Sequence, residues 1–106
     1  MDYPILPGCQ LMIFGEKNGD QLTITCRGEL EIASSSALPM ILKTFYDDKV
    51  EEVVFDFSGL TYIDCSGIRY LVECLRIIGK KSVEIVYTTY AVCRMFQRFW
   101  KQIQEA

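Results

Sequence analysis

The 106-residue sequence contains no histidine. Its absence removes the commonest transition-metal ligand and the usual base that activates a serine or cysteine nucleophile. The five cysteines, Cys9, Cys26, Cys65, Cys74 and Cys93, include no Cys-x-x-Cys pair. Neither a zinc knuckle nor a disulfide framework is indicated, and they read as small core hydrophobes. A phosphatase-type cysteine loop would place an arginine six residues downstream. Gly15, Ile32, Leu71, Lys80 and Phe99 occupy those positions, which excludes it. No glycine-rich phosphate loop of the Walker or dinucleotide type is present, so nothing supports nucleotide hydrolysis. Basic residues are outnumbered, 11 Lys and Arg against 14 Asp and Glu, for a net charge of −3. They form no cluster interleaved with aromatics, so nucleic acid is a poor partner. Apolar runs fall far short of the ~20 residues of a spanning helix. The first residues show no basic region followed by an apolar core and a cleavage site. The expected location is the cytoplasm, with no membrane insertion.

What is present is enough apolar material for one core. Half the residues are hydrophobic, and 106 residues suit one domain, residues 1–106. Tyr3 to Gly8, with two prolines and a glycine, reads as a loose lead-in. Leu11 to Phe14 reads as a strand, and the turn formers from Gly15 to Asp20 place a hairpin before Leu22 to Arg27, where apolar and polar residues alternate. Ser34, Ser35 and Ser36 offer caps to a helix with Leu38, Ile41, Leu42 and Phe45 on one stripe, Pro39 being tolerated in its first turn. Val53, Val54, Phe55 and Phe57 form an apolar run suited to the interior of a covered sheet. Ser58-Gly59 is expected to turn the chain before a second extended piece, Leu60 to Ile63. Ile68, Leu71, Val72, Leu75 and Ile78 then recur at helical spacing up to a glycine stop at Gly79. Val83 to Tyr87 reads as the last strand, and Thr88 or Thr89 caps a last helix with Val92, Met95, Phe96, Phe99, Trp100 and Ile103 on one face. Alternating strands and helices with right-handed crossovers give an α/β fold. Its sheet is mixed and mainly parallel, with an N-terminal antiparallel edge.

The junction Asp64-Cys65-Ser66-Gly67 carries the functional reading. It delivers Ser66 to a helix N-terminus, where unpaired backbone N–H groups and the positive dipole end favour a capping hydroxyl and would welcome a phosphate. The segments Gly28-Glu29-Leu30-Glu31 and Phe55 to Leu71 (FDFSGLTYIDCSGIRYL) resemble the STAS fold, the family of sulfate-transporter domains and anti-sigma factor antagonists. The similarity spans about Gln21 to Trp100 in the family's order of elements. The resemblance implies helices packed mostly on one face of the sheet. It also implies a non-enzymatic regulator that binds a serine-kinase anti-sigma factor and is switched off by phosphorylation. In the family's Asp-Ser-Ser-Gly turn the second serine is the phosphorylation site, and it matches Ser66. Cys65 stands in place of the first serine, and Glu31 stands where aspartate follows Gly-Glu-Leu.

The implied partner-binding residues are therefore Glu31, Asp64, Cys65, Ser66, Gly67 and Arg69, with no cofactor and no metal. Ser66 also has a structural reading as the cap of the helix it begins, and the two roles are compatible. Asp64 reads as a cap that also helps position Ser66. Asp56 and Asp64, eight residues apart on a strand and a turn, make a poor acid–base pair. Two alternatives keep the fold. One is a small cytoplasmic STAS subunit of a membrane transport complex, with a transporter ATPase as partner. The other is a thiol-based enzyme or redox sensor using Cys65, whose thiolate a helix N-terminus favours but which lacks a basic partner.

Overall fold

The computed structural model describes residues 2–4, 11–31, 34–79 and 81–86, together with Arg94, Gln97 and Arg98. The strands are β1 (Asp2–Pro4), β2 (Leu11–Asn18), β3 (Gln21–Leu30), β4 (Glu52–Ile63) and β5 (Ser82–Val86); α1 (Ala37–Phe45) follows β3 and α2 (Cys65–Ile78) follows β4. They form one sheet in the order β1-β2-β3-β4-β5. The β1–β2 and β2–β3 pairs are antiparallel, and β3–β4 and β4–β5 are parallel. The fold is thus the expected mixed α/β sheet with an antiparallel N-terminal side. The expected last helix and its apolar stripe lie outside the described residues, as do Cys9 and Cys93. Arg94, Gln97 and Arg98 are helical and exposed.

Period-two alternation decides which face of the sheet is covered. Leu11 and Ile13 of β2, Leu22, Ile24 and Cys26 of β3, and Val53, Phe55 and Phe57 of β4 are all buried. They form one core cluster with Leu38, Ile41 and Leu42 of α1 and Ile68, Leu71, Val72, Cys74, Leu75 and Ile78 of α2. Both helices therefore pack on the same face. The intervening residues on the other face, such as Arg27, remain exposed or half-buried. There the Arg27 guanidinium lies 5.1 Å from the centroid of the Phe14 ring.

Three local expectations are corrected. Tyr3 and Pro4 are not part of a loose lead-in but pair with β2, Tyr3 opposite Ile13, while the rest of that lead-in, residues 5–8, lies outside the described residues. A proline is compatible with an edge strand because its missing N–H need not face a neighbour. The hairpin is also tighter than expected. β2 continues through Gly15 to Asn18, and the turn is confined to Gly19-Asp20, with Gly19 at φ +62° supplying the left-handed conformation a two-residue hairpin loop requires. Gly15 lies within the strand, and the Phe45 ring occupies the space that its side chain would take.

The third correction concerns Ser58-Gly59, which does not turn the chain. β4 runs unbroken from Glu52 to Ile63, but its register against β3 shifts between Thr25 and Arg27 and again between Gly28 and Glu29. The first shift passes through Phe57 and Ser58 and is an irregularity of the ladder, not a turn. Asp56 Oδ1 accepts hydrogen bonds from the Ser58 backbone N–H at 3.0 Å and from Ser58 Oγ at 2.6 Å. These replace the ladder contacts that such an irregularity disrupts.

Candidate functional site

The end of β4 and the start of α2 are held by one carbonyl. Leu30 ends β3 opposite Ile63, and its C=O accepts a hydrogen bond from the Asp64 N–H at 3.2 Å. Asp64 adopts an extended backbone as N-cap of α2, and its Oδ1 accepts from the Gly67 N–H at 3.0 Å. The Ile68 N–H then donates to the Asp64 C=O at 3.1 Å, closing the first helical turn. The helix start is thereby capped by the residue two before Ser66. This agrees with the reading of Asp64 as a cap and overturns the capping role expected of Ser66. Aspartate caps because its short carboxylate reaches an unpaired amide at N3 and lies at the positive end of the dipole.

Gly67 determines how close this corner lies to the sheet. It is buried, and a Cβ at this position would sit 2.7 Å from both the Leu30 carbonyl oxygen and Ile63 Cγ1. Only glycine lets the first turn of α2 approach so closely. Ser66 is half-buried at the second position of α2, and its hydroxyl makes no hydrogen bond to any described residue. Cys65 and Arg69 are exposed.

Glu31 is brought to the same corner from β3, since it directly follows Leu30. Its backbone C=O accepts from the N–H groups of Ser34 at 3.0 Å and Ser35 at 2.8 Å, and its N–H donates to Ser34 Oγ at 3.4 Å. Ser34 Oγ in turn donates to the Glu29 C=O at 3.1 Å. Ser34 is thus a buried clamp on the loop that presents Glu31. The expected cap residue Ser36 makes no side-chain capping bond to α1. The six residues expected to bind a partner, Glu31, Asp64, Cys65, Ser66, Gly67 and Arg69, fall on one end of the sheet, at the carboxyl ends of β3 and β4. Asp56 is not among them, because its carboxylate is engaged with Ser58 within β4.

Two contributors were missed from the sequence. Leu30 looked like any buried strand residue, and nothing in its identity marks the double use of its carbonyl and side chain against Asp64 and Gly67. Tyr62 is 45% exposed at the end of β4, beside the capping turn. A tyrosine two residues before the capping aspartate was the available signal. Among the described residues no group of three or more cysteine and acidic side chains is placed to hold a metal ion.

A model of the STAS domain matches residues 15–99. The chain belongs to the STAS domain family. No curated protein matches it by sequence. Among solved structures, an anti-sigma factor antagonist from Mycobacterium paratuberculosis is similar, with a TM-score of 0.78 at 17% identity, over 89% of this chain and 81% of that one. The anti-sigma factor antagonist SpoIIAA in its unphosphorylated form superposes with a TM-score of 0.70 at 18% identity, over 87% of this chain and 83% of the other. The murine anion transporter Slc26a9 contains a similar region, with a TM-score of 0.60 at 20% identity, over 77% of this chain but 14% of the transporter. These likenesses establish a common fold. No described helix of this STAS domain is long and apolar enough to cross a membrane.

The three described thiols of the STAS domain differ sharply. Cys65 is exposed, whereas Cys26 and Cys74 are buried in the core. Burial pushes the Cys74 thiol up to about 12, helped by the neighbouring Glu73 carboxylate. Burial also raises Cys26 strongly, with further contributions from Cys74 and Asp56. Because the thiolate is the nucleophile, iodoacetamide at neutral pH is expected to modify Cys65 in the native protein and to spare Cys26 and Cys74 until denaturant is added. Peptide mass mapping checks this, and native-state modification of Cys26 or Cys74 would refute it.

Proposed function

We propose that this STAS domain is a non-enzymatic regulatory protein of the anti-sigma factor antagonist kind. Unmodified, it docks on a serine-kinase anti-sigma factor through the corner formed by Glu31, Asp64, Cys65, Ser66, Gly67 and Arg69. Phosphorylation of Ser66 by that kinase releases it. The observation that carries this reading is the division of labour at the start of α2. Asp64 supplies the cap, so the Ser66 hydroxyl is not needed for it, and Ser66 is only half-buried at the start of α2. A phosphate there adds about −1.5 to −2 charges. It would lie near the Asp64 and Glu31 carboxylates, changing the charge and the shape of a surface built around a bare hydroxyl.

Incubation with a cognate kinase is expected to phosphorylate the wild type and to leave Ser66→Ala unlabelled. Ser66→Asp should bind the anti-sigma factor at least about tenfold more weakly, the factor that corresponds to about 1.4 kcal/mol, whereas Ser66→Ala should keep its affinity. Label that persists in Ser66→Ala refutes the site.

A second reading is favoured by the likeness to a region of an anion transporter. It makes the domain a small STAS subunit of a membrane transport complex, with the same corner as its interface. Co-purification with a transporter ATPase, in place of a histidine-kinase-like anti-sigma factor, would select it.

A further inference from the structure

Carboxylates flank the corner around Ser66. Asp64, the N-cap of α2, and Glu31, which directly follows β3, carry carboxylates there; Glu29 of β3, Tyr62 of β4 and Cys65, Tyr70 and Glu73 of α2 are the other titratable residues at these ends of the three elements. From Cys65 to Val72, Arg69 is the one charged residue. It is exposed and makes no ion pair with any described residue. Ser66 and Arg69 are three apart within α2, so their side chains share a face with Cβ atoms ~5–6 Å apart. That span suits a phosphate on one side and a guanidinium on the other, whose planar fork matches phosphate oxygens. Asp64 already occupies the Gly67 amide, so the phosphate cannot use that donor, and a guanidinium adds positive charge beyond what the helix end supplies.

We propose that Arg69 is the intrachain counter-ion of phosphorylated Ser66, folding back along α2 to pair with the phosphate. The inference rests on Ser66 being the modified residue. Its consequence is that modification does two things at once. It adds an anion to the docking corner and withdraws from solvent the cation nearest to Ser66 along the helix.

The test uses full-length protein carrying phosphoserine installed at position 66 during translation, so that no kinase is required. The second ionisation of the phosphate is followed by phosphorus NMR in wild type, Arg69→Lys and Arg69→Gln. An ion pair of ordinary helical strength lowers that pKa by about 0.4 unit in the wild type relative to Arg69→Gln. Arg69→Lys should fall between, because a lysine supplies charge without the fork, and the gap should close at high salt. The Arg69 Nε–H resonance should shift on phosphorylation of the wild type. Equal pKa values in wild type and Arg69→Gln, or a higher value in the wild type, would overturn the ion pair. Failure of the Ser66 assignment shows separately, as kinase labelling that survives Ser66→Ala.

Discussion

Phe55→Ala is expected to lower the free energy of unfolding by about 3–5 kcal/mol, the range for removing a buried aromatic ring. Phe55 is fully buried on β4, the strand paired on one side with β3 and on the other with β5. Its ring lies 5.8 Å from that of Phe57, tilted by 41°, so truncation removes an aromatic contact as well as apolar area. The strand cannot collapse into the space left behind, because it is held in register on both edges and capped at its end by Asp64. The residual cavity therefore adds to the lost transfer energy. A domain of this size has ~5–15 kcal/mol in total, so much of the margin disappears. Urea titration should show a much lower midpoint with little change in slope. Met40→Ala, at a site 62% exposed, should change stability by less than about 0.5 kcal/mol. A Phe55→Ala loss under 1 kcal/mol would mean that the ring is not part of the core.

The core was legible in the sequence because its signal is periodic. Leu22, Ile24 and Cys26 alternate with polar residues, and Ile68, Leu71, Val72, Leu75 and Ile78 recur at helical spacing, so the buried face of β3 and of α2 followed directly. The junction between them was legible as a helix start, since Asp and Ser are both capping residues. Which of the two caps was not decidable locally. The choice depends on the Asp64 N–H being fixed by the Leu30 carbonyl, a contact between residues 34 apart in sequence. The misread turn at Ser58-Gly59 has a similar cause. Serine and glycine favour turns, but β3 on one side and Asp56 within the strand hold this pair extended, and the tertiary pairing overrides the local preference. Gly15 is likewise a turn former by local preference, yet its pairing with Ile24 of β3 keeps it in the strand. Ser66 itself was identified through family resemblance. The structure adds that its hydroxyl is relieved of capping, and no local pattern could have supplied that.

Gly67→Ala should reverse the usual sign of a glycine-to-alanine change within a helix. At an unconstrained helical position alanine gains about 0.5–1 kcal/mol over glycine through the entropy of the unfolded chain and intrinsic propensity. At Gly67 the new methyl would meet the Leu30 carbonyl oxygen at 2.7 Å and Ile63 Cγ1 at 2.7 Å, with Leu30 Cγ at 3.2 Å. The Ile63 side chain can rotate aside, but the carbonyl is backbone, and it accepts the Asp64 N–H that anchors the cap. Relief therefore requires α2 to lift from the sheet or the cap to loosen. We expect a net loss of about 1–3 kcal/mol, the range for overpacking. We also expect weaker docking of the partner, since Ser66 is adjacent to the displaced residue and moves with it. Cys65→Ala, exposed at the first position of the same helix, serves as the control and should be near neutral in stability. Amide exchange should show where the strain goes, with the Gly67 and Ile68 N–H groups losing protection in Gly67→Ala while the Leu71 to Ile78 amides keep theirs. An increase in stability on Gly67→Ala would show that α2 does not pack against Leu30 as described, and with it the rigid presentation of Ser66 would fall.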